Sequence, residues 1–310
     1  MKIIFASAHD VNPDTWIKPL QALIPGADIS PWTDDGPAVG AQLAIVWNPP
    51  VDIFLREPSL KAVFNLGAGV DAVVKLPGLR QDVAVVRLED AGMSAQMAEY
   101  AVYALVRASR RFDEYEKQQQ KQVWQPLPDI QRKKWTVGVM GLGVMGTRVA
   151  QTLAGLDYPV AGWSRSAKEI AGIEGFSGAG QLPEFLARTR VLINTLPLTP
   201  ETTGILCRDT LQQLLPGAYL VNVGRGEHLI EEDLLALLDS GHISGATLDV
   251  FREEPLPHGH PFWKDARITI TPHTAAASLR EETIAQVADK IRRYMRGEPM
   301  TGVVLRDRGY

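Results

Sequence analysis

The feature that most constrains the fold of this chain is a glycine-rich turn at residues 141–146, with the sequence GLGVMG. The pattern G-x-G-x-x-G is weak by itself, because a chain with 27 glycines contains chance matches. Its surroundings make it specific. The apolar run 135–141 predicts a strand before the turn, and TRVAQTLAGL predicts a helix after it. The turn therefore predicts a strand–turn–helix unit of the kind that binds a dinucleotide.

Each glycine of the turn has a distinct physical use. Gly141 permits the tight turn, Gly143 lets the backbone approach a pyrophosphate, and Gly146 lets the helix pack closely on the strand. The exposed N–H groups at the helix start, where Val144 and Met145 lie, supply the anion site. We predict a bound dinucleotide here. The alternative is a turn with a purely structural role.

The next strand candidate, PVAGW (159–163), ends without the carboxylate typical of an NAD site. Such a site places Asp or Glu about 20 residues after the turn to bind the ribose hydroxyls. Here the strand runs into Ser164, Arg165 and Ser166. A carboxylate would repel a 2′-phosphate, whereas a guanidinium with two hydroxyls can bind one. The stretch predicts NADP(H) as the cofactor, the alternative being that Arg165 is a solvated surface arginine.

Short apolar runs alternate with helical stretches along the whole chain, which is typical of an α/β protein with parallel sheets. The 310 residues exceed what a single core usually serves, so two domains are expected. Six strands, the number in a complete nucleotide-binding sheet, are predicted from residue 135 onward. The strand candidates lie at residues 2–8, 43–47, 62–67 and 83–88, and then at 135–141, 159–163, 190–196, 218–223, 245–250 and 266–271.

Three further segments have recognisable patterns. Residues 94–111 predict a helix capped by Ser94 and apolar almost all round, which is either a core helix or a subunit contact. The Gln-rich stretch 117–134 is interpreted as an arm or linker. Residues 278–297 predict a last helix that opens with a Ser-x-x-Glu capping box.

The composition excludes several classes of protein. With 32 basic and 36 acidic residues and no basic block, the chain is not expected to bind nucleic acid. The single cysteine, Cys207, excludes an internal disulfide framework and fits a reducing compartment. No run approaches the roughly 20 apolar residues that span a bilayer, and the N-terminus lacks the apolar stretch of a signal peptide. We therefore expect a cytoplasmic protein with no membrane partner.

The remaining histidines give no metal signal. His258 and His260 form an H-x-H pattern without a third ligand at usable spacing, which favours a solvated loop over a metal site. His228 has no constellation of partners around it in the sequence. No metal is predicted.

Three ionisable residues follow predicted strand ends: Arg225, Glu254 and His273. Ligands of open α/β sheets bind beyond the carboxyl ends of the strands, so the three can converge on one crevice. There a guanidinium can hold a carboxylate, an imidazolium can protonate a carbonyl oxygen as hydride arrives, and a carboxylate can favour the charged imidazole. The set predicts reversible reduction of a 2-oxo acid. Taken singly, Arg225 could pair with a local acid and His273 could simply end a strand.

Four segments resemble the signatures of the D-isomer-specific 2-hydroxyacid dehydrogenase family: GLGVMG, LPLTPETTG (196–204), NVGRGEHLIEEDLLALLDSGHISGATLDVFREEPLP (222–257) and ITPHTAA (270–276). The resemblance spans nearly the whole chain. It implies that Arg225 binds the substrate carboxylate, that His273 donates the proton and that Glu254 is its acid partner. It also implies that Asp249 lies near the nicotinamide carboxamide. Further residues implied at the cofactor are Leu196, Pro197, Val223 and Gly224.

The segment LGAGVD (66–71) resembles the family's loop whose backbone amides hold the substrate carboxylate, here at Ala68 and Gly69. Glycine lets that backbone approach an anion closely, so the physical reason and the resemblance agree. Trp47 could line the substrate pocket, the alternative being that it is a packing residue.

The family resemblance also implies the domain organisation. A flavodoxin-like substrate domain would comprise residues 1–97 with 279–310, and an NADP-binding Rossmann domain would comprise residues 98–278. A homodimer formed largely through the nucleotide domain is implied as well.

Residues and resemblance together predict NADPH-dependent reduction of small 2-oxo acids, glyoxylate and hydroxypyruvate, to the D-2-hydroxy acids glycolate and D-glycerate. Two alternatives remain. One is an NAD-linked dehydrogenase that oxidises a larger D-2-hydroxy acid. The other is a dinucleotide-sensing binding protein on the same scaffold, against which the absence of basic patches weighs.

Overall fold

The computed structural model describes residues 1–7, 12–33 and 35–305. The chain divides into two compact units, Met1–Gly92 with Ser278–Tyr310, and Met93–Ala277. The boundaries expected from the sequence, after residues 97 and 278, lie five residues and one residue further along the chain. Each unit is built on one parallel sheet.

The sheet of the first unit has five strands in the order β2-β1-β3-β4-β5, which is the flavodoxin-like order. Its central strands are continuous apolar runs, as expected when helices cover both faces of a parallel sheet. The strands are β1 (Lys2–Ser7), β2 (Asp28–Pro31), β3 (Leu43–Trp47), β4 (Ala62–Asn65) and β5 (Ala84–Val86). The helices between them are α1 (Asp14–Leu23), α2 (Ile53–Arg56) and α3 (Asp71–Val74).

The sheet of the second unit has seven strands, which follow one another in space as β12-β11-β10-β9-β6-β7-β8, and every pair is parallel. The chain reverses direction across the sheet between β6 and β9, where a doubly wound fold binds its ligand. The strands are β6 (Val137–Met140), β7 (Val160–Ser164), β8 (Glu174–Ser177), β9 (Val191–Asn194), β10 (Ala218–Asn222), β11 (Ile243–Leu248) and β12 (Ile268–Ile270).

The helices of the second unit are α4 (Met93–Ser109), α5 (Phe112–Gln120), α6 (Val144–Ala154), α7 (Gly178–Ala187), α8 (Arg208–Leu211) and α9 (Glu231–Asp239), with short 3-10 turns at Arg132–Lys134, Gly226–His228 and Pro261–Lys264. The last helix, α10 (Arg280–Met295), returns to the first unit. No helix within the described ranges is both long and apolar enough to cross a membrane.

Two strands were missed by the sequence analysis, and both lie at sheet edges. β2 has the sequence DISP and β8 has the sequence EGFS, and neither contains an apolar run. An edge strand has only one neighbour and can remain partly exposed, so its sequence needs less apolar content. The second sheet therefore has seven strands, not the six predicted.

Both predicted helix caps were wrong. α4 begins one residue earlier than expected, which places Ser94 inside the helix and buried. α10 begins at Arg280, and no side chain caps it. The Ser278 hydroxyl instead donates to the Leu66 carbonyl at 3.3 Å. The capping-box pattern lies one residue too early, because the N-cap of α10 is Leu279, and the Ser278 hydroxyl binds a carbonyl 212 residues away in sequence.

The predicted arm is only partly irregular. Its first residues extend α5, which has no buried residue, and residues 121–131 contain no helix or strand. Trp124 in this stretch is 98% exposed. One face of α4, formed by Ala98, Ala101 and Ala104, is buried in the same core cluster as α6.

Candidate active site

The glycine-rich turn joins β6 to α6 as predicted. Gly141 has a φ of 98°, which favours glycine. A Cβ on Gly146 would lie 1.8 Å from the Gly141 carbonyl oxygen and 2.5 Å from Thr195 Oγ1, whereas a Cβ on Gly143 would meet nothing within 4 Å. Gly146 is thus required for packing, and Gly143 borders open space.

The start of α6 fits the pyrophosphate of a dinucleotide. Its first N–H groups have no partner within the helix and carry the positive end of the helix dipole. Val144 at this end is 47% exposed, and Met145 is half-buried. Thr195 stabilises the turn, because its hydroxyl donates a hydrogen bond to the Gly141 carbonyl oxygen at 2.7 Å.

The segment that ends β7, residues 164–168, contains no acidic residue. Ser164 is buried and its hydroxyl donates to the Ser166 carbonyl at 2.8 Å, while Arg165 and Ser166 are exposed. The Lys168 ammonium donates to the carbonyl of Leu142, which places a second cation at the glycine-rich turn. The segment therefore fits a phosphorylated ribose better than an unmodified one.

Arg165 acts electrostatically on the segment that follows β9. The pKa of the Glu201 carboxyl lies below its ordinary value, chiefly because of a hydrogen bond from its own backbone amide and another from Thr199, with the positive charge of Arg165 adding to the effect. The charge of Arg165 thus reaches Glu201, which lies in the segment 196–204 that the sequence analysis assigned in part to the cofactor.

The three candidate catalytic residues follow three neighbouring strands, β10, β11 and β12. His273 Nδ1 lies 2.8 Å from Glu254 Oε2, and Glu254 Oε1 accepts the Phe251 N–H at 2.9 Å. The loop with Arg225 touches this segment: a Cβ on the adjacent Gly226 would lie 1.8 Å from the backbone carbon of Phe251. The structure thus brings the acid and the imidazole into contact and places the arginine loop against the backbone of Phe251, three residues before Glu254.

Asp249 shapes the loop that carries His273. Its buried carboxylate accepts hydrogen bonds from Thr271 Oγ1 at 2.6 Å and from the N–H groups of Thr274 and Ala275 at 2.8 and 2.9 Å. Its carbonyl accepts the His273 N–H at 2.9 Å. His273 itself has a φ of 54°, a left-handed conformation that costs a non-glycine residue about 1 kcal/mol or more and is found preferentially at functional sites. The implied contact of Asp249 with the nicotinamide stays a prediction.

Thr271 extends this arrangement to α4. Its hydroxyl lies 2.6 Å from the Tyr100 hydroxyl, and burial raises the pKa of Tyr100 above its ordinary value. Sequence reasoning missed Thr271 because the contact joins residues 171 positions apart.

The predicted substrate residues of the first unit lie together at the end of β3 and after β4. Trp47 is 39% exposed, and a Cβ on Gly67 would lie 2.2 Å from its ring. Asn65, which the sequence analysis also missed, donates to the carbonyls of Gly67 and Gly69 at 3.0 and 2.8 Å. Its side chain therefore shapes the loop that contains Ala68 and Gly69.

No group of three His, Cys, Asp or Glu side chains in the described ranges could hold a metal ion. His260 lies 3.4 Å from Glu231 and is in ring contact with Phe262, and its Nδ1 accepts the Phe262 N–H.

Residues 102–275 match the family described as D-isomer specific 2-hydroxyacid dehydrogenase, NAD binding domain. The chain is 47% identical over 300 residues to glyoxylate/hydroxypyruvate reductase A of Yersinia enterocolitica, and the match covers 95% of this chain and 96% of that protein. It is 46% identical over 311 residues to the protein of the same name from Serratia proteamaculans, and the match covers 98% of both chains.

Solved structures agree with these matches. A D-isomer specific 2-hydroxyacid dehydrogenase from Xanthobacter autotrophicus, in complex with NADPH and MES, superposes with a TM-score of 0.94 at 40% identity and covers 100% of this chain and 99% of that one. An NADPH-dependent glyoxylate/hydroxypyruvate reductase from Sinorhizobium meliloti, in complex with NADP and sulfate, gives 0.92 at 36% identity with the same coverage. The glycine-rich turn, the parallel sheets and the full-length relatives together show that this chain belongs to the D-isomer-specific 2-hydroxyacid dehydrogenase family.

Proposed function

We propose that this protein reduces small 2-oxo acids with NADPH, glyoxylate to glycolate and hydroxypyruvate to D-glycerate. The observation that carries the proposal is the Glu254–His273 pair, with 2.8 Å between Oε2 and Nδ1, beside the loop of Arg225 and in the unit that contains the glycine-rich turn. The full-length relatives named glyoxylate/hydroxypyruvate reductase A support the substrate class.

His273 acts as the proton donor. With its Nδ1 on the Glu254 carboxylate, Nε2 is left to face the substrate, and the carboxylate stabilises the charged imidazole. In reduction, the Nε2 proton passes to the carbonyl oxygen of the 2-oxo acid, and in the reverse direction the neutral ring accepts the hydroxyl proton. Glu254 keeps its orientation through the Phe251 N–H.

Arg225 binds and polarises the substrate. A guanidinium offers two parallel N–H donors to a carboxylate and so fixes the orientation of the adjacent carbonyl. Its positive charge also stabilises the oxyanion character that develops on the carbonyl oxygen.

The cofactor would be held by the glycine-rich turn, the start of α6 and the end of β7, where Arg165 and Ser166 are exposed. NADPH supplies the hydride when bound. The contacts of Leu196, Pro197, Val223 and Gly224 are proposed for the same cofactor, because all four lie in the loops directly after β9 and β10. In the first unit, Ala68 and Gly69 are proposed to bind the substrate carboxylate through their amides, and Trp47 to limit substrate size.

Steady-state assays with a panel of 2-oxo acids and both cofactors test the proposal. We expect the highest kcat/KM with glyoxylate or hydroxypyruvate and NADPH. Equal or better kcat/KM with NADH would reject the cofactor assignment, and a preference for larger 2-oxo acids would reject the substrate assignment. Tight NADPH binding with no turnover on any 2-oxo acid would favour a dinucleotide-sensing protein.

Replacing Arg165 with Ala tests the phosphate site. We expect the Kd for NADPH to rise at least about ten-fold, because a hydrogen bond to a charged group contributes about 1.5–3 kcal/mol. The Kd for NADH should stay unchanged, since its ribose carries no 2′-phosphate. Arg208→Ala, on α8 and paired with Asp233, is the matched control and should change neither constant. A parallel loss of both affinities in the Arg165 variant would contradict the assignment.

Two glycine substitutions separate packing from cofactor binding. Gly146→Ala forces a methyl group into the Gly141 carbonyl, so we expect a lower Tm and a loss of about 1–3 kcal/mol in the free energy of unfolding. Gly143→Ala points its methyl group into open space, so Tm should hold while NADPH affinity falls. Calorimetry and fluorescence titration of both variants measure these quantities, and unchanged NADPH affinity in Gly143→Ala would place the pyrophosphate elsewhere.

We also propose a homodimer formed through the second unit. Apolar side chains are exposed on the side of α4 opposite its buried alanines: Tyr103 is 48% exposed and Phe112, at the start of α5, is 40% exposed. Together with Val102 and Val106 they line a shallow depression that the Arg107–Glu116 ion pair also borders. A cytoplasmic location is inferred from composition alone, with Cys207 as the single cysteine.

A further inference from the structure

Three polar side chains are fully buried at the carboxyl ends of β9 and β10. Asn194 is the last residue of β9, Asn222 is the last residue of β10, and His228 ends the 3-10 turn that follows Arg225. Each is 0% exposed. A buried polar group is costly unless it is hydrogen-bonded, so the partners of these side chains indicate what they are for. We refer to the three as the strand-end network.

The orientation of both amides is fixed by backbone donors. The Leu196 N–H donates to Asn194 Oδ1 at 3.2 Å, and the Gly224 N–H donates to Asn222 Oδ1 at 3.2 Å. Because a backbone N–H can only donate, these atoms must be the amide oxygens. Asn194 Nδ2 is then the donor to Asn222 Oδ1 at 2.9 Å and to His228 Nδ1 at 2.8 Å.

The same reasoning fixes the tautomer of His228. Its Nδ1 also accepts the Arg225 N–H at 3.1 Å, so two N–H donors point at this atom and it carries no proton. The ring proton is therefore on Nε2, which donates to the Pro197 carbonyl at 3.2 Å. Protonating Nδ1 would set a donor against two donors, so the ring is held neutral and cannot exchange protons with the substrate.

The network holds the backbone of Arg225 from both sides. His228 Nδ1 binds its N–H, and Asn222 Nδ2 donates to its carbonyl at 3.1 Å. The fit around the preceding residue is tight, since a Cβ on Gly224 would lie 2.8 Å from Asn194 Nδ2 and 3.0 Å from His228 Nδ1. These contacts join the network to the backbone of Leu196, Pro197, Gly224 and Arg225, which are the residues assigned to the cofactor and the substrate.

We propose that His228, in its neutral Nε2–H form, is a positioning residue for substrate reduction: it fixes the backbone of Arg225 so that the guanidinium meets the substrate carboxylate, and it ties that loop to Pro197. The inference rests on the proposed role of Arg225. No local sequence pattern indicates this role of His228, because its hydrogen-bonding partners lie up to 34 residues away in sequence.

Three variants of His228 separate its two hydrogen-bonding atoms. His228→Asn keeps an acceptor where Nδ1 lies and can still bind the Arg225 N–H. His228→Gln keeps a donor where Nε2 lies and can still reach Pro197. His228→Leu keeps neither. Misplacing a group that binds the reacting substrate by about 1 Å can cost 10²-fold in rate, so we expect kcat/KM for glyoxylate to fall by about 100-fold in the Leu variant.

We expect the Asn variant to retain the highest kcat/KM of the three. The Gln variant should be nearly as impaired as the Leu variant, because both lose the hydrogen bond to the Arg225 N–H. His242→Leu is the matched control: its Nε2 binds the Leu211 carbonyl at 3.1 Å, a bond like that of His228 to Pro197 but outside the site. We expect it to lower Tm without lowering kcat/KM. A Gln variant more active than the Asn variant, or a His242 variant as impaired as the His228 variants, would overturn the proposal.

A double-mutant cycle with Arg225→Met distinguishes positioning from general destabilisation. If His228 acts through Arg225, His228→Gln or His228→Leu should change kcat/KM by less than about two-fold once Arg225 is gone, since residues that act as a unit are non-additive. Equal effects in both backgrounds would show that His228 does not act through Arg225. Using the Gln variant, which also loses the bond to the Arg225 N–H, keeps the cycle interpretable if the Leu variant does not fold.

Amide hydrogen exchange tests the network without relying on activity. In the full-length protein, exchange in residues 222–228 should accelerate in His228→Leu or His228→Gln and not in His242→Leu. If the wild-type protein reduces no 2-oxo acid, the proposed function fails while this measurement still tests the network. If exchange stays slow in the His228 variants, the network does not hold the Arg225 loop, whatever the activity.

Discussion

Replacing His273 with Asn is expected to lower kcat for glyoxylate reduction by about 10²–10⁴-fold while the Kd for NADPH stays within about two-fold of wild type. Asn keeps a polar group of similar size on the loop but has no proton to donate at the position of Nε2. The loop itself should survive, because Asp249 holds it through Thr271 and the N–H groups of Thr274 and Ala275. Asn also tolerates the left-handed φ of 54° found at this position.

The control for this variant is His258→Asn, a change of the same type at an exposed residue of a neighbouring loop. Stopped-flow measurement of NADPH oxidation and fluorescence titration of NADPH give the two constants separately. A His273→Asn enzyme with wild-type kcat would remove the imidazole from the reaction. A variant that has lost NADPH affinity to the same degree as kcat would mean that His273 binds the cofactor instead.

Glu254→Gln should act on the same step more gently. Gln keeps an acceptor that can orient the ring through His273 Nδ1 but lacks the carboxylate charge, so we expect kcat for glyoxylate reduction to fall, although by less than in His273→Asn, while the Kd for NADPH stays unchanged. Steady-state kinetics and fluorescence titration measure the two constants. A Glu254→Gln enzyme with wild-type kcat would show that the 2.8 Å contact has no influence on the reaction.

What could be predicted from the sequence was set by local rules. The glycine-rich turn needs only the strand before it and the helix after it, and both are encoded within about 20 residues. The convergence of Arg225, Glu254 and His273 follows from a single rule of topology, since parallel strands end at the same edge of a sheet. The order β12-β11-β10 made those three strand ends neighbours.

The remainder depended on contacts that no local pattern encodes. Ser278 had the spacing of a helix cap, but its hydroxyl binds Leu66. His228 looked isolated because its partners belong to a different strand end: Asn194 is the last residue of β9, and Pro197 lies in the loop that follows. A polar residue at the end of a buried strand, as at Asn65, Asn194 and Asn222, is the one signal that could have pointed to these positions. Such residues sit where loops that carry function must be fixed.

Replacing Arg225 with Met is expected to lower kcat/KM for glyoxylate by about 10²–10³-fold, the effect typical of removing a donor that stabilises a developing oxyanion. Arg225→Lys should recover only part of this loss, because an ammonium keeps the charge but not the two parallel N–H donors. The loss should be smaller for the methyl ester of a 2-oxo acid, since the guanidinium then has no carboxylate to hold and only its stabilisation of the developing oxyanion is lost. Arg252→Met, an exposed cation in the adjacent loop, serves as the control and should behave as wild type with both substrates. The quantity to compare is therefore the wild-type-to-variant ratio of kcat/KM for the 2-oxo acid, divided by the same ratio for its methyl ester. A value near one would mean that Arg225 does not contact the carboxylate, and the substrate class would then have to be decided by the loop around Ala68 and Gly69 instead.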